Sequence, residues 1–268
     1  MEPADERLKI MDQTWTYGAA VLSGGLVAFL LTVFGGGGSV LATPLLLYGV
    51  GMKDAHVAIG TSAAAVAVNA AVGLAVQAKA GRIKWPCALA FGAPGLVGAL
   101  VGAHIAKALS GGVLLVWFAV AMAAVGLAMF RKPTSPGNPD VHIDASKALR
   151  LAPVGALTGL AAGFFGIGGG FLIAPGLMAA TGMTLANAAA SSLVSVTLFG
   201  AATSASYATS GLVNGPILLA LIVGGAGGVA AGARLTPALA TRALLARRLF
   251  AVMITLTAAY VAWRARAV

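Results

Sequence analysis

The chain has 268 residues, 59% hydrophobic and only 9% charged, with a formal net charge of +10. A soluble domain carries about a quarter charged residues, yet no Asp, Glu, Lys, Arg or His lies between Gln13 and Met52 or from Leu151 to Ala233. Each gap exceeds the ~20 apolar residues that cross a hydrocarbon core, which excludes a soluble enzyme, a nucleic-acid binder and a disordered tail, and leaves an all-α polytopic membrane protein.

A polar, mixed-charge tail over residues 1–14 lacks the layout of a signal peptide. Trp15 and Tyr17 suit a membrane interface. The first helix is expected to end at Phe34, where Gly35 to Gly38 follow; each glycine costs a helix ~1 kcal/mol. The next apolar piece, Ser39 to Tyr48 with Pro44, is long enough as a helix for about half a membrane. Spans follow at Ala55–Val76, Trp85–Ile105 and Val113–Phe130, with Lys79, Arg82 and Lys84 in the loop between the first two. Residues 132–150, with Pro133, Pro136, Gly137 and Pro139, read as a solvated linker. The pattern then restarts: Leu151–Phe165, a second glycine run from Gly166 to Gly170, a short piece Phe171–Ala180, then Leu185–Ala208, Pro216–Ala233 and Leu244–Trp263. That gives about eight full transmembrane helices and two short half-helices broken by glycine, in membrane units 15–131 and 151–268.

These two units read as homologous repeats. Phe34-Gly35-x-Gly37-Gly38 with Pro44 matches Phe165-Gly166-x-Gly168-Gly169 with Pro175 at an offset of 131 residues, and Gly51-Met52 matches Gly182-Met183. At an offset of 130, Thr61-Ser62 meets Ser191-Ser192, Gly81 meets Gly211, Pro86 meets Pro216, and Gly95, Gly98 and Gly102 meet Gly225, Gly228 and Gly232. The basic loop 79–84 has an uncharged counterpart at 210–215, whereas Arg234, Arg242, Arg247 and Arg248 follow the next helix only in the second unit. Since Lys and Arg collect in cytoplasmic loops, swapped sidedness implies inverted repeats. Arg264 and Arg266 then fall on the outer side, against the rule.

The break FGGGGSVLATP with its downstream GTSA, the aligned FFGIGGGFLIAP with ASSL, and the glycine-rich later helices together resemble the sulfite exporter TauE/SafE family of membrane transporters, over about residues 17–264. The resemblance implies a bacterial-type inner-membrane protein of two homologous halves that moves small anions such as sulfite or sulfoacetate. Two positions depart from the pattern: Ser191-Ser192 stands for the usual Thr-Ser, and Phe199 stands opposite Asn69.

Paired glycine-broken half-helices are the best sequence pointer to a transporter binding site. Helix N-termini offer free N–H groups and partial positive charge, and glycines let an anion approach the backbone. The expected substrate-binding residues are therefore Gly35, Gly36, Gly37, Gly38, Gly166, Gly168, Gly169 and Gly170, with hydroxyls from Ser39, Thr61, Ser62, Ser191 and Ser192. Close helix packing and hydroxyl bonds to a helix's own carbonyls are the alternative. His104 and Arg234, each after a matched Gly-Ala, are candidates for anion contact or for interface anchoring. Asp54 and His56 are candidates for coupling. Gly98–Gly102 and Gly224–Gly228–Gly232 have the small-xxx-small spacing of tight helix contacts.

All seven acids lie at or before Asp144, and only Asp54 adjoins a span; an anion route suits a pathway without carboxylates. No cofactor or metal is expected: Cys87 is the lone cysteine, and no GxxxxGK[ST] loop is present. The expected partners are a small anion and the lipid bilayer, with a homodimer as the assembly and no nucleic acid. The leading reading is a secondary anion transporter working as an exporter, with a channel-like pore and a membrane assembly protein as alternatives.

Overall fold

The computed structural model describes residues 2–130, 137, 138, 140, 141, 143–166, 170–240 and 243–265. Its longer elements are helices: α1 (Glu2–Phe34), the single turn α2 (Ala42–Pro44), α3 (Ala55–Lys79), α4 (Trp85–Lys107), α5 (Gly111–Phe130), α6 (Ala145–Phe165), α7 (Gly170–Thr181), α8 (Leu185–Ala208), α9 (Gly215–Ala240) and α10 (Ala243–Ala265). Among the described residues, six helical stretches are long and apolar enough to cross a membrane. Their outer faces carry exposed Leu22, Val97, Leu157 and Val223, and Trp117 and Leu256 are exposed on α5 and α10, the surface a hydrocarbon solvent would cover.

Three boundaries differ from expectation. Helix α1 begins at Glu2 rather than at the interface aromatics; Glu6, Arg7, Leu8, Lys9 and Met11 are good helix formers, so the polar end prolongs the span. Helix α6 starts at Ala145, six residues before the apolar run, because Asp144 caps it. Its carboxylate accepts from the Lys147 N–H at 2.8 Å and from the Ser146 hydroxyl at 2.7 Å. These bonds hold the Asp144 carboxyl well below the usual carboxylate range. Finally, the four glycines do not form an open loop. Gly35–Leu41 winds as a 3₁₀ helix and continues through α2 into one π turn, Leu45–Gly49.

Glycine sets the closest helix contacts. On α4 and α6, a Cβ at Gly98 would strike the carbonyl of Ala156, at Gly102 that of Leu160, at Gly159 that of Gly95, and at Gly163 that of Ala99. Helices α1 and α9 repeat the device: Gly24 lies on the Leu221 carbonyl, Gly224 on that of Val21, and Gly228 on that of Gly25. Contacts advance in the same direction along both partners, so each pair runs parallel. Where lipid removes the hydrophobic drive for helix association, such close approach supplies the dispersion contact instead.

Helices α3 and α8 cross antiparallel at the centre: Gly60 meets Tyr207, Gly200 meets Ala63 and Ala67, and Gly73 meets Leu193. Helices α5 and α10 join through a cluster containing Phe118, Met122, Ile254 and Ala258. One described part of the linker is fastened down. The Asn138 N–H donates to the Gly182 carbonyl at 2.8 Å, and Asn138 forms a parallel bridge with Met183 at the elbow between α7 and α8.

Candidate functional site

The two glycine breaks meet inside the bundle. Gly35 and Gly166 have the same left-handed φ of 66°, which only glycine adopts without strain. A Cβ on Gly35 would lie 2.6 Å from the Ala189 carbonyl oxygen and 2.8 Å from the Ser192 Oγ of α8. A Cβ on Gly166 would run into Ile59 of α3. Past these turns, the Gly36 and Gly170 backbones touch, and a Cβ on either would penetrate the other. Gly37, Gly38 and Ser39 are buried beside them. Gly168 and Gly169 lie outside the described residues.

The serine and threonine hydroxyls form two matched sets. The Gly36 N–H donates to Ser192 Oγ at 3.0 Å, and that hydroxyl donates to the Ala189 carbonyl at 2.7 Å. Across the centre, Ser62 Oγ lies 3.5 Å from the Gly166 carbonyl, 3.0 Å from the Ile59 carbonyl and 2.9 Å from Thr43 Oγ1. Ser62 and Ser192 are thus each hydrogen-bonded in their own helix and to the opposite glycine turn. Ser39 Oγ donates to the Gly36 carbonyl at 2.7 Å and steadies the 3₁₀ turn from within.

Thr61 and Ser191 take a role that their sequence position does not signal. Thr61 Oγ1 accepts from the Asn214 N–H at 2.9 Å, just ahead of α9, and Ser191 Oγ accepts from the Lys84 N–H at 2.9 Å, just ahead of α4. Each fixes the start of the neighbouring long helix by satisfying a backbone donor that the helix leaves open. The partners are 153 and 107 residues away in sequence; only the matched offset of Lys84 and Asn214 could have signalled them.

The charged candidates lie apart from the glycine turns. His104 and Arg234 are exposed on α4 and α9. Asp54 caps α3, its carboxylate accepting from the N–H groups of His56 and Val57 at 2.8 and 3.2 Å. The His56 ring packs on Tyr207 of α8. Asn69 is buried against Gly225 of α9, filling the space a Cβ there would need, while Phe199 fills the corresponding space at Gly95 of α4. Among the described residues, no three His, Cys, Asp or Glu come together.

Two cavities open at opposite ends of the bundle. One of about 310 Å³ lies between Lys84, Trp85, Cys87, Val141 and Ile143; one of about 170 Å³ lies between Gln13, Tyr17, Asn214 and Ile217. Each adjoins a helix start held by Ser191 or Thr61. Neither cavity is lined by Gly36 or Gly170, whose backbones are in contact. The Gly36 N–H and the Ser39, Ser62 and Ser192 hydroxyls beside this contact all donate to acceptors within the protein.

Residues 20–261 match the family described as Sulfite exporter TauE/SafE. Two probable membrane transporter proteins of Xylella fastidiosa, strains Temecula1 and 9a5c, are 45% and 44% identical over 243 residues, covering 90% of this chain and 93% of each relative. A probable membrane transporter protein of Methanocaldococcus jannaschii is 28% identical over 165 residues, 58% of this chain and 59% of that protein. No solved structure matches.

Proposed function

The chain belongs to the sulfite exporter TauE/SafE family, and from that premise we propose that this multi-pass cell-membrane transporter exports small sulfur-containing or organic anions, such as sulfite or sulfoacetate, by alternating access. The observation that carries this reading is the closed contact of Gly36 with Gly170, with Ser192 and Ser62 bonded to opposite turns. Opening one side of that contact while the other stays shut would present the turn's amides and hydroxyls to one mouth at a time. The scarcity of carboxylates in the spans favours an anion as cargo.

The path is built from two inverted repeats with eight full helices and two short segments. Paired features at matched offsets support this: Gly35 and Gly166, Gly51 and Gly182, and Gly81 and Gly211 all have positive φ, and the Thr61 and Ser191 bonds correspond residue for residue. The equivalent helices α3 and α8 run antiparallel, as inversion requires. The 79–84 loop, the linker and the end of α9 share one end, and their basic residues favour the cytoplasm for it. In the assignment 1–14, 15–131, 132–150 and 151–268, the linker is the cytoplasmic strap between repeats.

Purified protein in vesicles should move sulfite, thiosulfate or sulfoacetate with saturable kinetics. Current that grows linearly with anion concentration would replace the carrier by a channel. Cysteines placed at Arg82 and Leu212 should label from opposite faces of the membrane; labelling from one face would defeat the inversion.

A further inference from the structure

At the end of the bundle where α3 begins and α4 and α8 finish, three polar side chains converge outside the glycine turns. Tyr207, in the last turn of α8, is fully buried, and its hydroxyl has no hydrogen-bond partner. The His56 ring lies alongside, with centroids 6.4 Å apart and planes inclined by 29°, and its Nδ1 is likewise buried without a partner. Lys107, at the end of α4, holds its ammonium 5.9 Å from the Tyr207 ring centre, a favourable cation–π placement. The ammonium donates to the Ser206 carbonyl at 2.8 Å and the Ser210 hydroxyl at 3.2 Å. Lys53 and Asp54 stand just ahead of α3, and the Asp54 carboxylate is engaged in capping.

This cluster stands in line with the glycine turn. Tyr207 packs in an apolar group with Ile59, Ala103, Ala106 and Leu114, and Ile59 is the side chain seated on Gly166. From the centre outward the order is therefore Gly166, Ile59, Tyr207, then His56 and Lys107.

Nothing in the repeated frame demands these groups. At the matched positions of the other end stand Gln77 for Tyr207, Ala186 for His56 and Pro237 for Lys107. Thr61, Ser62, Ser191 and Ser192 are all bonded, whereas Tyr207 and His56 Nδ1, like the Ser195 and Thr203 hydroxyls deeper in α8, are not. A buried hydroxyl that has given up water without a replacement is destabilising, and a Phe of the same shape would avoid the loss.

We propose that the Tyr207 hydroxyl and His56 Nδ1, under the positive charge of Lys107, form a transit site for the anion at this mouth. This rests on the anion-transport reading given above. An oxyanion passing between Gly166 and the surface accepts the Tyr207 O–H and, in the tautomer with hydrogen on Nδ1, the His56 N–H. Lys107 balances its charge. The site exists at one end only, so the two mouths hold the cargo by different chemistry.

The decisive variant is Tyr207→Phe, which keeps the ring and removes the donor. In detergent without added anion, the full chain carrying it should melt at or above the wild-type temperature, because no protein partner is lost. In vesicles, its KM for sulfoacetate should rise about tenfold, as for loss of one hydrogen bond to a charged group, and Lys107→Met should raise it in the same direction. A lower anion-free melting temperature would give the hydroxyl a structural role and overturn the site. Saturable wild-type flux with an unshifted Tyr207→Phe KM would overturn this site alone. Wild-type protein that moves none of sulfite, thiosulfate and sulfoacetate would overturn the transport reading and the site together.

Discussion

Helices α1, α3 and α9 form one trio, and α6, α8 and α4 form another with the same contacts 130 or 131 residues apart. In both, a glycine of the first helix accepts a backbone carbonyl of the long fourth helix: Gly24 at Leu221, Gly155 at Phe91. The trios differ in how one matched pocket beside the long helix is filled. Asn69 fills the space over Gly225, and Phe199 fills that over Gly95, where it also stacks on Phe91 with centroids 6.5 Å apart. Backbone approach is thus held to fractions of an ångström, whereas the filling of a pocket between helices tolerates an amide or an aromatic ring. The frame constrains volume and contact, and leaves polarity free to vary.

The severest test of that equivalence is a side chain forced between backbones. Gly98→Val and Gly228→Val should each cost about 3 kcal/mol, read as matched drops in melting temperature in detergent; a large effect in one trio alone would break the correspondence. Next come the glycine turns. Gly170→Ala places a methyl group in the Gly36 backbone and should abolish anion flux in vesicles, with Gly36→Ala equally harmful. Smaller and again paired, Thr61→Val and Ser191→Ala each strand one backbone N–H at a helix start, at about 1–2 kcal/mol apiece. Unequal melting shifts would show that one of these bonds matters less than its twin.

The smallest effect concerns the α6 cap. Because the folded Asp144 carboxyl is held below its unfolded value, its contribution is complete above about pH 4 and fades as pH falls through the folded value. Asp144→Ala should therefore melt slightly earlier than wild type at pH 7. The gap should shrink on acidification, and a gap that is constant with pH would place the effect elsewhere.

Much of this frame is legible in the amino-acid sequence. The charge-free runs mark the spans, and the recurrence of Phe34-Gly35 as Phe165-Gly166 locates both breaks to the residue. What stays hidden depends on distant or competing interactions. The glycine tetrad reads as a helix breaker by propensity, yet its backbone still pairs in a 3₁₀ turn because packing against Gly170 and Ser192 outweighs the entropic cost. Thr61 and Ser191 look like free hydroxyls until Asn214 and Lys84 are brought to them. The Asp144 cap is within reach of sequence reasoning, since an Asp ahead of a helical run is a standard capping signal; the apolar run at Leu151 draws the boundary inward. Nothing in the sequence signals that His56 and Tyr207 meet.

The exchange of the long helices α4 and α9 between trios also bears on biosynthesis. Helix α1 enters the membrane with its stripe of Gly24 and Gly25 uncovered, since the helix that covers it begins only at Gly215. At about 5–20 residues per second, α1 waits on the order of ten to forty seconds for its partner. Through that interval its close-packing stripe lacks the backbone that covers it in the finished fold. Helix α4, by contrast, meets its partner α6 directly after the linker, so the two matched pairs close at very different stages of synthesis.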